Sequence, residues 1–261
     1  MDHASITTII HNLQQDEISA TEAIYSLNHL LSHEPRNRYL VPLTNESIRE
    51  AVTLYVGNVT LSNETYGPIG EWKTGDVTDM SNLFWFAHDF NGSISSWDTG
   101  SVTNMTNMFR DTNVFNSDLS SWDTGAVNTM NSMFSGAKSF NGDLSSWDTG
   151  AVVRMDFMFY NASAFNGSIS SWDTSSVKTM TCMFSYASVF KGSLSLWDTS
   201  SVTDMGCMFH TAYSFNDDLS SWDTHAVTDM EDMFKGANAF NGPAPNWDTS
   251  NITNKSFKCI R

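Results

Sequence analysis

The sequence predicts a repeat solenoid, mainly parallel β with one short helical turn in each 25-residue coil, entered through an N-terminal helical region. Three observations predict it. Eight tryptophans (Trp72, Trp97, Trp122, Trp147, Trp172, Trp197, Trp222 and Trp247) fall 25 residues apart without an insertion. Apolar residues recur at fixed offsets behind each one: Val77 to Ile252 five later, Met80 to Met230 eight later, Phe90 to Phe240 eighteen later. Between these positions almost everything drifts, as "SWDTGAVVRMDFMFYNASAFNGSIS" over 146–170 and "SWDTSSVKTMTCMFSYASVFKGSLS" after it show. One coil of 25 residues cannot enclose a core, whereas stacked coils turn the fixed letters into continuous ladders and leave the drifting ones as the wall.

The elements follow in order. Residues 1–40 read as a helical hairpin, "SITTIIHNL" and "SATEAIYSLNHLLSH". Ser19 and Glu22 have the spacing of a capping box, and Ile24, Leu27, Leu30 and Leu31 form a stripe. Residues 41–71 read as an N-terminal cap, with Ile48, Ala51, Val52 and Tyr55 on one face of a short helix after Thr44. Residues 72–254 hold the eight coils, the last incomplete because Lys255 stands where methionine is expected. Within a coil, "LSSWDTxxV" reads as an extended strand and "MxxMF" as one helical turn. "FNG" ends that turn, because Asn and Gly tolerate left-handed backbone. Pro243 and Pro245 lack the donor a further strand would need, and 255–261 is a charged tail.

Composition narrows the partners. Against 29 acidic residues stand 13 basic ones, a net charge of −16. That argues against nucleic acid and anionic membrane, whose phosphates are held by lysine and arginine. No apolar run spans a bilayer, and "MDHASITTII" lacks the features of a secretion signal. Cys182 and Cys207 stand one repeat apart in the same column; a bridge or two small buried thiols would suit that placement, the thiols being the simpler reading.

The stretch "WDTSSVTDMGCMFHTAYSFNDDLSSW" resembles the repeat of the BspA-type leucine-rich-repeat surface proteins, including the branch noted in mycoplasma lipoprotein-associated sequences. "LTNESIREAVTLYV…YGPIGEWKTGDVTDM" is similar to that branch's entry to its repeats. The resemblance runs from about Thr44 to Phe257. It implies a leucine-rich-repeat-like solenoid, a role in surface binding or adhesion, and a cell-surface or secreted location.

Two sets of residues are candidate sites. An aspartate follows each repeat tryptophan from the second coil on: Asp98, Asp123, Asp148, Asp173, Asp198, Asp223 and Asp248. The Asp–Thr–small pattern suits carboxylates that accept from the backbone just ahead of them. A row of weak Ca²⁺ sites is the competing reading, since a hard cation collects oxygens. The second set is the variable column thirteen residues after tryptophan, where Trp85, Arg110, Tyr160, His210 and Lys235 alternate with serines; a contact surface and a solvated rim free to drift fit that pattern equally. The methionines read as core rather than as copper ligands, and His29 with His33 lacks a third zinc ligand. No catalytic constellation and no cofactor motif is present. The chain therefore reads as a non-enzymatic binding or adhesion protein that presents an acidic repeat surface to a protein or glycan. The alternative is a scaffold subunit, a homo-oligomer joined through the N-terminal helices or the ends of the stack.

Overall fold

A computed structural model describes residues 11–12, 19, 22–23, 41–241 and 247–253 of the chain. The hairpin expected over 1–40 lies outside these residues except at its capping box. There the Ser19 N–H donates to Glu22 Oε2 at 2.6 Å and the Glu22 N–H to Ser19 Oγ at 3.2 Å. Pro243, Pro245, Cys259 and the tail over 255–261 also lie outside them.

Over 41–71 two short helices lead into the coils. Helix α1 (Ser47–Gly57) buries Ile48, Ala51 and Val52. Tyr55, on the same face, meets Trp72 and Phe90 edge-on, each at 6.1 Å between centroids. The chain breaks at Asn58, whose extended backbone ends α1 and whose Oδ1 caps α2 (Val59–Tyr66) by accepting from the Leu61 N–H at 3.0 Å. Arg49 ties α1 to the first coil by donating to the Asp79 carbonyl at 3.3 Å and pairing with its carboxylate at 3.2 Å. A 3₁₀ turn at Ile69–Glu71 then delivers the chain to Trp72.

From Trp72 onward the chain is a stack of 25-residue coils held in register. The repeat positions are its interior: Val77 through Val227, Met80 through Met230 and the central Phe residues are buried. Phenylalanines stack on their counterparts one coil along, for example Phe109 on Phe134 at 5.6 Å and Phe140 on Phe165 at 6.0 Å. Trp147 lies on Trp172 at 6.3 Å with planes 4° apart. Each indole also has its polar atom satisfied: Trp147 Nε1 donates to the Leu119 carbonyl and Trp172 Nε1 to that of Leu144. The threonine column faces inward as well, Thr149 Oγ1 donating to the Asp173 carbonyl at 2.8 Å.

The expected mainly parallel β solenoid of leucine-rich-repeat type does not form. Among the described residues there is no strand; coils touch through isolated parallel bridges, Asp79 to Asn104, Asn104 to Thr129 and so on to Asp229. The reason lies in how the backbone donors divide. The N–H groups of Met80, Asn82, Phe84 and Phe86 donate to carbonyls of the next coil at 2.9–3.0 Å. Those of Leu83, Trp85 and Ala87 turn back onto Met80, Asn82 and Phe84 three residues earlier. Every second donor thus closes a tight turn, and no run of residues stays extended long enough to make a ladder.

The helical turn expected at "MxxMF" is absent for a related reason. Asn82 has φ 60° and Phe86 φ 62°, and the same two positions are left-handed in the coils that follow. A right-handed helix excludes such residues. Apolar spacing of three and four residues buries one face of a helix, but it serves a chain of tight turns equally well. The exposed asparagines Asn91, Asn116, Asn141, Asn166 and Asn216 each accept through Oδ1 from one backbone N–H in the next coil, as Asn116 does from Asn141 at 2.8 Å.

Because each coil supplies half of its neighbour's interface, damage to one should spread. Trp147→Ala should lower stability by about 3–5 kcal/mol, through the lost ring contacts and the lost indole bond to the Leu119 carbonyl. Chemical denaturation followed by circular dichroism measures this. A midpoint unchanged from the parent would show that the tryptophan ladder adds nothing to the stack.

Candidate functional site

The aspartate row is on the outside of the stack, and its carboxylates are occupied locally. Oδ1 of Asp98 accepts from the Gly100 N–H at 3.2 Å, and Asp123, Asp148, Asp173, Asp198, Asp223 and Asp248 repeat this bond at 2.9–3.0 Å. Their backbone carbonyls receive the buried threonines of the previous coil. A second row, not singled out from sequence, does the same four residues before tryptophan: Asp118, Asp143 and Asp218 accept from Ser120, Ser145 and Ser220. Among the described residues no three His, Cys, Asp or Glu side chains converge to hold a metal ion.

Bonding to the charged form lowers a carboxyl pKa. The Ser175 hydroxyl and N–H hold Asp173 below its ordinary 3.8. Backbone bonds first, then hydroxyls, do the same for Asp118, Asp143, Asp218 and Asp248, and the His225 N–H for Asp223. A folded-state pKa below the unfolded one gives stability that is present above 3.8 and lost as pH falls through the folded value. The melting temperature should therefore hold steady from neutrality to about pH 5 and fall from about pH 4 downward. A flat profile down to about pH 2 would show that these bonds do not stabilise the fold.

The variable column is not one uniform surface. Trp85 stands at its start, with the Arg110 guanidinium 5.8 Å above the ring. Lys235, at its far end, is bound to Asp232 at 2.7 Å. Between them Arg110, Tyr160 and His210 line a groove of about 620 Å³, together with Ser132, Phe157 and Tyr186. The aromatic members form a continuous edge-to-face run: Phe157 to Tyr160 at 5.9 Å, Tyr160 to Tyr186 at 5.7 Å, Tyr186 to His210 at 5.2 Å.

The groove runs over coils that carry small residues at two of its columns, Ser132 and Ser135 in the third coil (122–146) and Cys182 and Ser185 in the fifth (172–196). Ser132 and Ser135 form its floor beside Gly136, flanked by Arg110 in the second coil and by Phe157 and Tyr160 in the fourth. Gly136 has φ 72°, and a Cβ on it would lie 2.2 Å from Asp111 Oδ1. Glycine leaves room there for the Asp111 carboxylate, whose Oδ2 meets Arg110 Nε at 3.5 Å.

Sequence reading missed Phe157 and Tyr186, and with them Phe86 beside Trp85. All three occupy the left-handed columns ten and fourteen residues after tryptophan. Elsewhere those columns hold Asn, Asp and Gly, which adopt such backbone at low cost, alongside Ser132, Cys182, Cys207 and Thr211. Reading down the column shows three bulky rings where turn residues belong. That signal is in the sequence, but it stands out only where the backbone is left-handed.

Cys182 and Cys207 lie at the same groove, both left-handed and both free thiols. Burial, with Cys207 beside it, pushes the Cys182 thiol up to about 12, and burial raises that of Cys207. The thiolate is the reactive form, so Cys182 should react with iodoacetamide at pH 8 at least about a hundredfold more slowly than free cysteine. Mass spectrometry of the alkylated chain checks this; rapid labelling at Cys182 would show an ionised, open thiol.

No helix among the described residues is long and apolar enough to cross a membrane. No curated protein and no solved structure matches the chain. Residues 57–172 and again 163–259 match the family described as Mycoplasma protein of unknown function, DUF285, and the chain belongs to that family.

Proposed function

We propose that the chain is a non-enzymatic binding and adhesion protein, acting at a cell surface or secreted, with its contact face at the groove lined by Arg110, Phe157, Tyr160 and Tyr186. One observation carries the reading. Phe86, Phe157 and Tyr186 are 55%, 38% and 40% exposed and sit on left-handed backbone. A non-glycine residue held there costs about 1–3 kcal/mol, and although the rings pack against their aromatic neighbours, more than a third of each stays open to solvent. Aromatics kept at such a cost on a surface suit contact with a partner, since aromatics and arginine dominate binding hot spots. The repeat's likeness to BspA-type surface proteins points to the same role and location. The acidic rows support it from the other side: their carboxylates are engaged with their own backbone, so the groove is the better candidate for contact. The scaffold alternative rests largely on the N-terminal helices, which lie outside the described residues.

Binding of the labelled full chain to spotted extracellular-matrix proteins and cell-surface glycans tests the proposal. We expect saturable binding to at least one surface, reduced about tenfold or more in Arg110→Ala/Tyr160→Ala. No binding anywhere, or binding that survives the double substitution, would remove this face as the contact site.

A further inference from the structure

We propose that the groove binds a neutral oligosaccharide, with a sugar ring on the serine floor of the third coil and against the rings of Phe157 and Tyr160. This deepens the binding function above and rests on it. Four features of the groove select this ligand class.

The first is its chemistry. A sugar has apolar C–H faces and a rim of hydroxyls, so it needs aromatic surface and hydrogen-bonding side chains together. The groove offers both: the Phe157 and Tyr160 rings on one wall, the Ser132 hydroxyl on the floor, and Arg110 on the other wall. Arg110 Nε is buried without a hydrogen bond, and its terminal nitrogens make none to any described residue. Trp85 beneath the guanidinium holds it in place as a donor.

The second is what the groove lacks. An extended peptide recognised as an added strand needs a free backbone edge. Here the floor has none to offer: the Ser132 N–H donates to Asp156, that of Ser135 to Ser132, and that of Gly136 to Tyr160. Recognition must come from side chains, which suits a ligand rich in hydroxyls.

The third is charge. The chain carries −16, and the nearest cation at the groove, Arg110, stands 3.5 Å from the Asp111 carboxylate. A polyanionic glycan would approach against the field of the whole chain, whereas an uncharged one meets no such repulsion. The fourth is size: about 620 Å³ falls within the range of small-ligand clefts.

The left-handed backbone supplies a sharper test than loss of binding alone. Asparagine occupies the Phe157 column in the first two coils, as Asn82 and Asn107 at φ 60° and 56°. Phe157→Asn should therefore relieve the backbone and raise the melting temperature while weakening the ligand. A residue with a merely structural role would do the opposite.

Calorimetric titration of the full chain with neutral tri- to hexasaccharides of glucose, galactose, mannose or N-acetylglucosamine tests this, with sialylated and uronic-acid oligosaccharides as a second arm. We expect at least one neutral probe to bind saturably. Phe157→Asn and Tyr160→Ala should each weaken it about tenfold or more. Tyr213→Ala, exposed outside the groove, should leave it unchanged. Melting curves on each variant establish that it is folded. The inference is overturned by binding to acidic sugars only, by binding to no sugar, or by sugar binding indifferent to Phe157 and Tyr160. If the chain binds a matrix protein through Arg110 and Tyr160 but no neutral sugar, the adhesion function stands and this assignment of its ligand falls.

Discussion

Everything in the stack depends on backbone donors that reach into the next coil once every two residues. From Met80 to Phe86 the N–H groups alternate between the neighbouring coil and a turn within their own coil. The first kind fixes register between coils; the second pulls the chain around the corner that makes a coil possible. The side chains reinforce that register: stacked phenylalanines, the indole donors and the threonine hydroxyls all bridge positions 24 to 28 residues apart. An inserted residue would misplace all of these together, which is why the tryptophan count never slips.

That backbone pattern has a cost and a use. It demands left-handed residues at two columns per coil, one of them followed through Asn82, Asn107, Ser132, Phe157, Cys182, Cys207 and Asp232. Turn residues meet the demand at low cost. The same columns face outward, so any side chain placed there is displayed on a rigid, regularly spaced frame. The rings at Phe157 and Tyr186 give up some stability, and in return stand beside Tyr160 and His210 in one groove. The small residues of the third and fifth coils, Ser132 and Ser135 with Cys182 and Ser185, leave the space along the stack in which that groove opens.

The acidity of the chain is largely a structural matter. An exposed row of carboxylates one coil apart would repel itself, but each is held by an N–H two residues ahead. The lowered pKa of Asp173 follows from the Ser175 hydroxyl and N–H. Repetition of a local bond, rather than a shared ligand, accounts for the regularity of the column.

The sequence by itself determined the period, the inward residues and the capping aspartates, because each depends on spacing or on a bond two residues long. It also determined the cap helix over Ser47–Gly57 from the stripe of Ile48, Ala51 and Val52. It could not determine what the coil is made of. Apolar spacing at Met80, Leu83 and Phe84 fits a helical turn and a chain of tight turns equally, and only donors reaching the next coil separate the two. Strand content failed for the same reason: "LSSWDT" has the alternation of a strand, but pairing is decided between coils. The groove was partly legible in the variable column, as Arg110, Tyr160 and His210 lie together while Lys235 is tied to Asp232 outside the groove. Phe157, Tyr186 and the floor at Ser132 joined them only in the tertiary structure. Left-handed backbone and stacking bring residues from several coils to one place, and neither is a property of any single stretch of chain.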